Sequence, residues 1–298
     1  MSAQDPLRFG LIGVDSSHAL QFTRLLGDGR TGRVAGGTVV AAWQGPTSTD
    51  FPPSRDRNDA NASTLAESGI ALLGSPAEVA AAVDVLLLVS SDARTRRDQF
   101  MSVVGFDLPV YVDTRFAANP EDAEAMLAHA EASGCLVLSG SPKRFTPEFR
   151  AATTTGATSA ALTGPLVVQP GHPGLSWYGV HLVDLAVAAL GPDCVSIEPR
   201  RADLLLTWSD GRTATIGGPA EWNPWTRGQL RTARGAASFE IEANEDMLAG
   251  LLESIMASSR SGTPNIDRAE VLAICRIVAA GNEALESGAT VRIPERTA

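Results

Sequence analysis

The sequence predicts an α/β fold in two parts. A mostly parallel sheet wrapped by helices fills the first half, and an α+β domain with a mixed or antiparallel open sheet fills the second. Three observations predict this. Short apolar runs alternate with helical periodicity between Leu7 and Leu138. One of those runs, VDVLLLVS at Val83 to Ser90, is almost continuously apolar, as a parallel strand covered on both faces must be. From about Pro142 the pattern changes to short strands separated by turn residues. The expected domains are therefore 1–141 and 142–298.

In order along the chain, Leu7 to Ile12 is a first strand. Ser17 to Leu26 is a helix, with Leu20, Leu25 and Leu26 near helical spacing. Thr38 to Trp43 is a second strand. The stretch QGPTSTDFPPSRDRNDAN that follows is polar and rich in Pro, Ser and Asp, and is expected to be a long surface loop. Short helices are expected at Asn61 to Ser68 and Pro76 to Ala82, the second opening on a proline. Strand Val83 to Ser90 precedes a helix over Asp92 to Val104, and Pro109 to Val112 is the next strand. Asn119 caps a helix running to Ser133, Gly134 ends it, and Cys135 to Leu138 is a strand. In the second half, helices are expected at Phe149 to Thr154, Val180 to Leu190, Asn244 to Ser258 and Asp267 to Leu285. Strands are expected at Val195 to Ile197, Ala202 to Trp208, Thr213 to Ile216 and Ser238 to Ala243, with Thr290 to Ile293 a last short strand or extended tail.

The chain has 298 residues, enough for two domains, of which 44% are apolar and 19% charged. A net charge of −10 argues against a general nucleic-acid surface, which wants a basic face. Cys135, Cys194 and Cys275 are far apart and form no CxxC pair, so neither a zinc site nor a disulfide framework is suggested. His18, His172, His181 and Asp184 likewise lack a metal-ligand spacing, so no metal is expected. No secretory signal and no apolar run of membrane-spanning length are visible. The expectation is a soluble cytoplasmic protein without membrane or nucleic-acid partners.

Five segments taken in order carry a family resemblance: RFGLIGVDSSHALQF, PVYVDTRFAANPEDAEAMLAHAEASG, SPKRFTPEF, WYGVHLVDLA and a tail helix followed by VRIP. Together they resemble the Gfo/Idh/MocA oxidoreductases, the glucose–fructose oxidoreductase and inositol dehydrogenase superfamily. The resemblance implies an N-terminal Rossmann-type domain and a C-terminal domain whose open sheet mediates homodimers or homotetramers. It also implies NAD or NADP as cofactor and a sugar, cyclitol or related polyol as small-molecule substrate.

The family's GxGxxG turn is represented by Gly13, Asp15 and His18. The second glycine lets backbone approach pyrophosphate, and an aspartate there brings a like charge toward it. Ser16 and Ser17 offer hydroxyl donors beside the helix N-terminus; alternatively Asp15 and Ser17 only cap the helix. Trp43 stands near the position of the usual ribose-binding acid, where it either stacks on adenine or packs the strand. Ser90 and Ser91 would line the nicotinamide side. The family's acid–lysine–proline motif reads Asp113, Thr114, Arg115, so the lysine is lost; Arg115 is a poor proton shuttle but can hold a carboxylate or phosphate. His181 matches the family acid–base histidine, with Trp177 in place of its aspartate partner. The competing reading makes His181 a buried helical residue bonded to Asp184. Tyr178 and His172 are further candidates for orienting substrate. Lys143 and Arg144 lie either beside the cleft or in solvent as a surface pair. Trp208, Trp222 and Trp225 either line a sugar-binding wall or pack the sheet or an interface.

Two functions from different classes follow. One is an NAD(P)-dependent oxidoreductase, with lyase or hydrolase chemistry through transient oxidation as a variant. The other is a catalytically degenerate ligand-binding or regulatory protein on the same scaffold.

Overall fold

The computed structural model describes residues 5–154, 156–201 and 203–294. The chain divides into two compact units: Met1–Gly140 with Leu248–Ile266, and Ser141–Met247 with Asp267–Ala298. The first switch of unit falls beside the 141/142 boundary read from sequence. The segment Leu248–Ile266 belongs with the first unit although it lies late in the chain.

The first unit opens with β1 (Leu7–Ile12), α1 (Ser17–Leu26), β2 (Gly37–Trp43), α2 (Pro52–Glu67), β3 (Ala71–Leu72) and α3 (Pro76–Ala82). It continues with β4 (Val85–Leu88), α4 (Arg96–Met101), β5 (Val110–Val112), α5 (Pro120–Ser133) and β6 (Val137–Leu138). The six strands pair in parallel in the order β3-β2-β1-β4-β5-β6. This is the doubly wound order, whose strand succession reverses between β1 and β4. All four residues of β4 are buried, as its unbroken apolar run requires. Gly10 lets α3 lie close on β1, since a Cβ there would sit 2.4 Å from Val79 Cγ1.

Three expectations change here. The polar stretch after β2 is mostly not a loop, because α2 starts at Pro52 within it. Its prolines occupy the first helical positions, where a missing N–H costs nothing. Its buried face carries Ser54, Asn58 and Asn61 beside Pro53, Ala62 and Leu65, so apolar periodicity could not reveal it. The helix expected over Asp92 to Val104 is reduced to α4, flanked by 3-10 turns at Ala93–Thr95 and Val104–Phe106. The strand expected over Val83 to Ser90 is trimmed to β4, and Ser90 and Ser91 stand in the loop beyond it.

The second unit contains α6 (Pro147–Ala152), β7 (Ala157–Thr163), α7 (Val180–Leu190), β8 (Cys194–Arg200), β9 (Asp203–Trp208) and β10 (Thr213–Gly217). After these come β11 (Trp225–Thr232), β12 (Gly235–Glu242), α9 (Arg268–Ser287) and β13 (Val291–Arg292), while α8 (Glu245–Ser261) supplies most of the late segment of the first unit. The start of the strand expected at Ala202 lies outside the described residues. The sheet runs β12-β11-β7-β10-β9-β8-β13 and is mixed: β7 and β10 are parallel, all other pairs antiparallel. Strands β7 and β11 escaped the sequence reading because one face is small or polar. On β11, buried Thr226, Gly228 and Leu230 alternate with exposed Arg227, Gln229 and Arg231. A core of α7 and α9 side chains with Leu162, Leu204, Leu206, Trp208 and Ile216 fills the covered side. Among the described residues no helix is long and apolar enough to cross a membrane.

Candidate functional site

In the first unit the candidate site sits at the carboxyl ends of β1, β4 and β5, where open α/β sheets carry their ligands. Gly13 has φ +77°, and a Cβ on it would meet Ser90 Cβ at 2.6 Å. Its glycine character is thus required by the end of β4. Asp15, buried in the turn, accepts a 2.6 Å hydrogen bond from the Ser91 N–H. It does not cap α1; the N-cap is Ser16, whose side chain makes no cap bond. Asn61 of α2 donates to the carbonyls of Val14 (2.7 Å) and Ser16 (3.1 Å), fixing the turn from its far side. The Ser16 hydroxyl is buried and has no hydrogen-bond partner among the described residues. Ser17 opens the helix and is exposed.

His18 Nδ1 lies 2.8 Å from Asp113 Oδ2, and its ring stacks on Phe22. Asp113 also accepts from Tyr111 Oη (2.8 Å) and the Thr114 N–H (2.9 Å). Burial alone would raise this carboxyl, but His18, Arg96 and Arg115 outweigh it and hold it well below the usual range. An ionised Asp113 means that His18 Nδ1 carries the proton in this pair. Both side chains that replace fingerprint glycines are therefore turned to neighbouring strand ends, Asp15 to β4 and His18 to β5.

Beneath them lies Arg96, fully buried in the first turn of α4. It donates to the Ser90 carbonyl through Nε (3.0 Å) and Nη2 (2.6 Å). Through Nη1 it also reaches the carbonyls of Asp113, Thr114 and Arg115. One guanidinium thus ties together the loops after β4 and β5. Burial pulls its pKa down, against the opposing pull of Asp113, Tyr111, Asp15 and Asp92. Thr114, in the place of the lysine, donates its hydroxyl to the Gly140 carbonyl at 3.3 Å. Arg115 adopts a left-handed φ of +70°. The Ser90 hydroxyl donates to Gln99 Oε1 at 2.6 Å. Trp43 ends β2 half-buried, and the adjoining Gln44 donates to Asp59 at 2.7 Å.

In the second unit, His181 lies in the first turn of α7, directly after a π-helical turn at Leu175–Gly179. Such turns recur at functional sites. His181 Nδ1 is 2.8 Å from Ser141 Oγ, which also accepts the Lys143 N–H at 3.3 Å. Asp184 accepts from the Ser141 N–H (3.0 Å) and Arg144 Nε (2.7 Å), and Arg144 Nη1 reaches Glu270 Oε2 at 2.6 Å. Asp184 therefore positions Ser141, which in turn orients His181. The Tyr178 and His181 ring centroids are 5.9 Å apart; Trp177 meets Tyr178 on one side and His172 on the other. His172 is buried in a short bridge with Gln169.

Against this geometry stand the comparisons. No family model and no curated protein matches the sequence. Solved structures do. A provisionally assigned myo-inositol dehydrogenase from Sinorhizobium meliloti 1021 aligns over 97% of this chain and 100% of its own, at TM-score 0.79 and 15% identity. Myo-inositol dehydrogenase from Lactobacillus casei, solved with NAD(H) and myo-inositol, aligns over 98% of each chain at TM-score 0.76 and 14% identity. GenD2 from gentamicin A biosynthesis, solved with NAD, aligns over 99% of this chain and 98% of its own at TM-score 0.75 and 13% identity. The chain shares the fold of these three structures.

On this fold the expected residues fall into two sets. Gly13, Asp15, Ser16, Ser17, His18, Ser90, Ser91, Asp113, Thr114 and Arg115 gather at adjacent strand ends of the first unit, with Trp43 at the end of β2. His172, Tyr178 and His181 gather at the start of α7 in the second. Lys143 and Arg144 are not a solvated pair, since both are buried. Trp208 is a core residue whose Nε1 donates to the Gly191 carbonyl at 2.8 Å, so it lines no wall. Trp222 is exposed, and Trp225 packs under the Arg227 guanidinium. Arg96, Asn61 and Ser141 went unread as site residues. No local pattern marks them, because each acts on backbone or side chains that only the folded chain brings near.

Proposed function

We propose that the chain is an NAD(P)-dependent oxidoreductase of a sugar, cyclitol or related polyol. The observation that carries this is the Ser16 hydroxyl, buried and unbonded at the N-terminus of α1, beside the point where strand order reverses. A helix N-terminus with a spare hydroxyl suits a phosphate. The carboxylate of Asp15 is occupied by the Ser91 N–H, which lessens the conflict its charge would create. Gly13, Ser16, Ser17, Ser90 and Ser91 would hold the nucleotide, with His18, Asp113 and Thr114 fixing the adjoining loops and Trp43 near the adenosine end. Bound NAD or NADP would supply the hydride acceptor.

The chain's own part is proton handling and placement. Ser141 holds Nδ1 of His181, and this imidazole is our candidate to exchange a proton with a substrate hydroxyl. Tyr178 lies beside that ring, with His172 beyond Trp177; Arg115, in the first unit, is a separate candidate for holding a carboxylate or phosphate. The open face of the second sheet, with exposed Ala161, Thr163, Arg227 and Glu240, is our reading of a homodimer or homotetramer surface. Three buried, unbridged thiols suit a reducing cytoplasmic setting.

A second reading, a degenerate binding protein, is favoured by Thr114, whose hydroxyl is engaged by Gly140 where the family carries a lysine. Calorimetric titration with NAD and NADP, then a polyol panel followed by NADH absorbance, separates the two. The oxidoreductase reading expects nucleotide binding below millimolar and turnover that falls about 100-fold or more in His181→Ala with nucleotide affinity kept. Absence of nucleotide binding at millimolar concentration sinks it; polyol binding without turnover selects the second reading.

A further inference from the structure

Among the described residues three lysine or arginine side chains are buried, and two of them are matched. Arg96 faces four carbonyl oxygens and lies 3.9 Å from the Asp113 carboxylate. Arg144 is clasped by Asp184 and Glu270. Lys143 is 4% exposed and has neither. Its ammonium makes one hydrogen bond among the described residues, to the hydroxyl of fully buried Thr226, the residue after the start of β11. Among the described residues its two other N–H donors and its charge have no protein partner. A buried charge is costly unless it is paired and hydrogen-bonded. Lysine could avoid the cost by losing its proton. Burial brings its pKa down only to about 8, so it stays charged in roughly nine of ten molecules at pH 7.

The position of Lys143 is tied to the proposed proton-handling histidine. Its backbone N–H bonds Ser141 Oγ, the same atom that holds His181 Nδ1. Neighbouring Arg144 cannot turn to a ligand without abandoning Asp184 and Glu270. The element thus offers one cation and one hydroxyl, which balances a single negative charge; a dianionic phosphate would want further cations or a nest of backbone donors.

We infer that Lys143 and Thr226 form a binding site for the carboxylate of a hydroxy acid, so that the substrate class is a sugar acid rather than a neutral polyol. This rests on the oxidoreductase reading for the word substrate, whereas the binding itself does not.

The experiment compares matched pairs on the full-length protein by calorimetry, with and without NAD: D-gluconate against D-glucitol, and D-galacturonate against D-galactose. Inorganic phosphate is a third probe. At least one acid should bind 10-fold or more tightly than its neutral counterpart. Lys143→Met should abolish that preference with the far-ultraviolet spectrum and cooperative melt retained, while Lys143→Arg keeps part of it. In protein labelled with 15N at lysine Nζ, the acid should shift the signal that Lys143→Met removes. Equal binding of acids and neutral partners, binding of none of the acids, a preference that survives Lys143→Met, or tighter binding of phosphate than of any acid overturns the inference. Acid binding without any nucleotide binding would leave it standing while the oxidoreductase reading fails. Nucleotide binding without acid preference would do the reverse.

Discussion

At the scale of single residues, this molecule is governed by how buried charge is matched. Asp113 collects His18, Tyr111 and the Thr114 N–H; Arg96 collects the carbonyls of two loops; Lys143 collects one hydroxyl. The mismatch at Lys143 has a consequence for stability. Its pKa falls from 10.5 to about 8 on burial, so folding disfavours the charged form, at a cost of about 3 kcal/mol below pH 8. Lys143→Met should therefore stabilise the protein by up to about 3 kcal/mol at pH 7, less the lost bond to Thr226. The gain should shrink between pH 8 and 10.5 and vanish above, where wild-type lysine is neutral in both states. Denaturant melts of the two proteins across pH 6 to 11 check this; a constant difference would mean that the amine is not desolvated. The residues themselves were legible in part. His181, Asp113 and the turn could be picked out by position, but Lys143 read equally well as a surface cation, because nothing adjacent in sequence records that Thr226 lies over it.

At the scale of elements, the strand ends are held by contacts that leave no room for adjustment. Gly13 is the clearest case. An added Cβ would press on Ser90 Cβ and its backbone at 2.6–3.0 Å, and φ +77° is itself unfavourable for other residues. Gly13→Ala should cost about 2–5 kcal/mol, combining overpacking with left-handed strain. A thermal melt would show it, and an unchanged melting temperature would mean that β4 yields easily. Helix α2, of which only the part from Asn61 was expected from sequence, teaches a related lesson. Its buried face uses Asn58 and Asn61 to bond the carbonyls of Gly45, Val14 and Ser16. Hydrophobic patterning finds a helix that buries apolar atoms; it is blind to one whose buried face satisfies backbone acceptors. The helices that were placed well, α1, α5, α7 and α9, carry apolar stripes or clear stop residues, such as Gly134 and Gly288 in left-handed conformation.

At the scale of the whole molecule, the chain does not break once. Helix α8 returns to the first unit, where a Cβ added at Gly37 would meet Met256 Sδ at 3.3 Å, Arg260 donates to the Gly36 carbonyl, and Asn265 exchanges two bonds with Ser139. A fragment ending at Gly140 lacks this helix. It forfeits the burial of Leu248, Leu251, Leu252, Ile255 and Met256, on the order of 10 kcal/mol by apolar transfer and comparable with the whole stability of a domain. Expressed alone, residues 1–140 should bind a hydrophobic dye and melt without cooperativity, whereas adding residues 248–266 through a linker should restore a sharp transition. A cooperative melt of the shorter fragment would show that the late helix is dispensable.

By itself the sequence determined the strand–helix alternation, the parallel first sheet, the change to a mixed sheet and the places where the fingerprint departs from glycine and lysine. These are local matters of period, turn chemistry and residue type, written in neighbouring letters. Only the tertiary structure decided that Asp15 turns to Ser91, that Arg96 binds two loops, that α8 crosses back to the first unit and that Lys143 is buried without a counter-charge. Each of those depends on groups tens of residues apart, and the cost of an unmatched charge or an unbonded hydroxyl exists only once folding has removed the water around it.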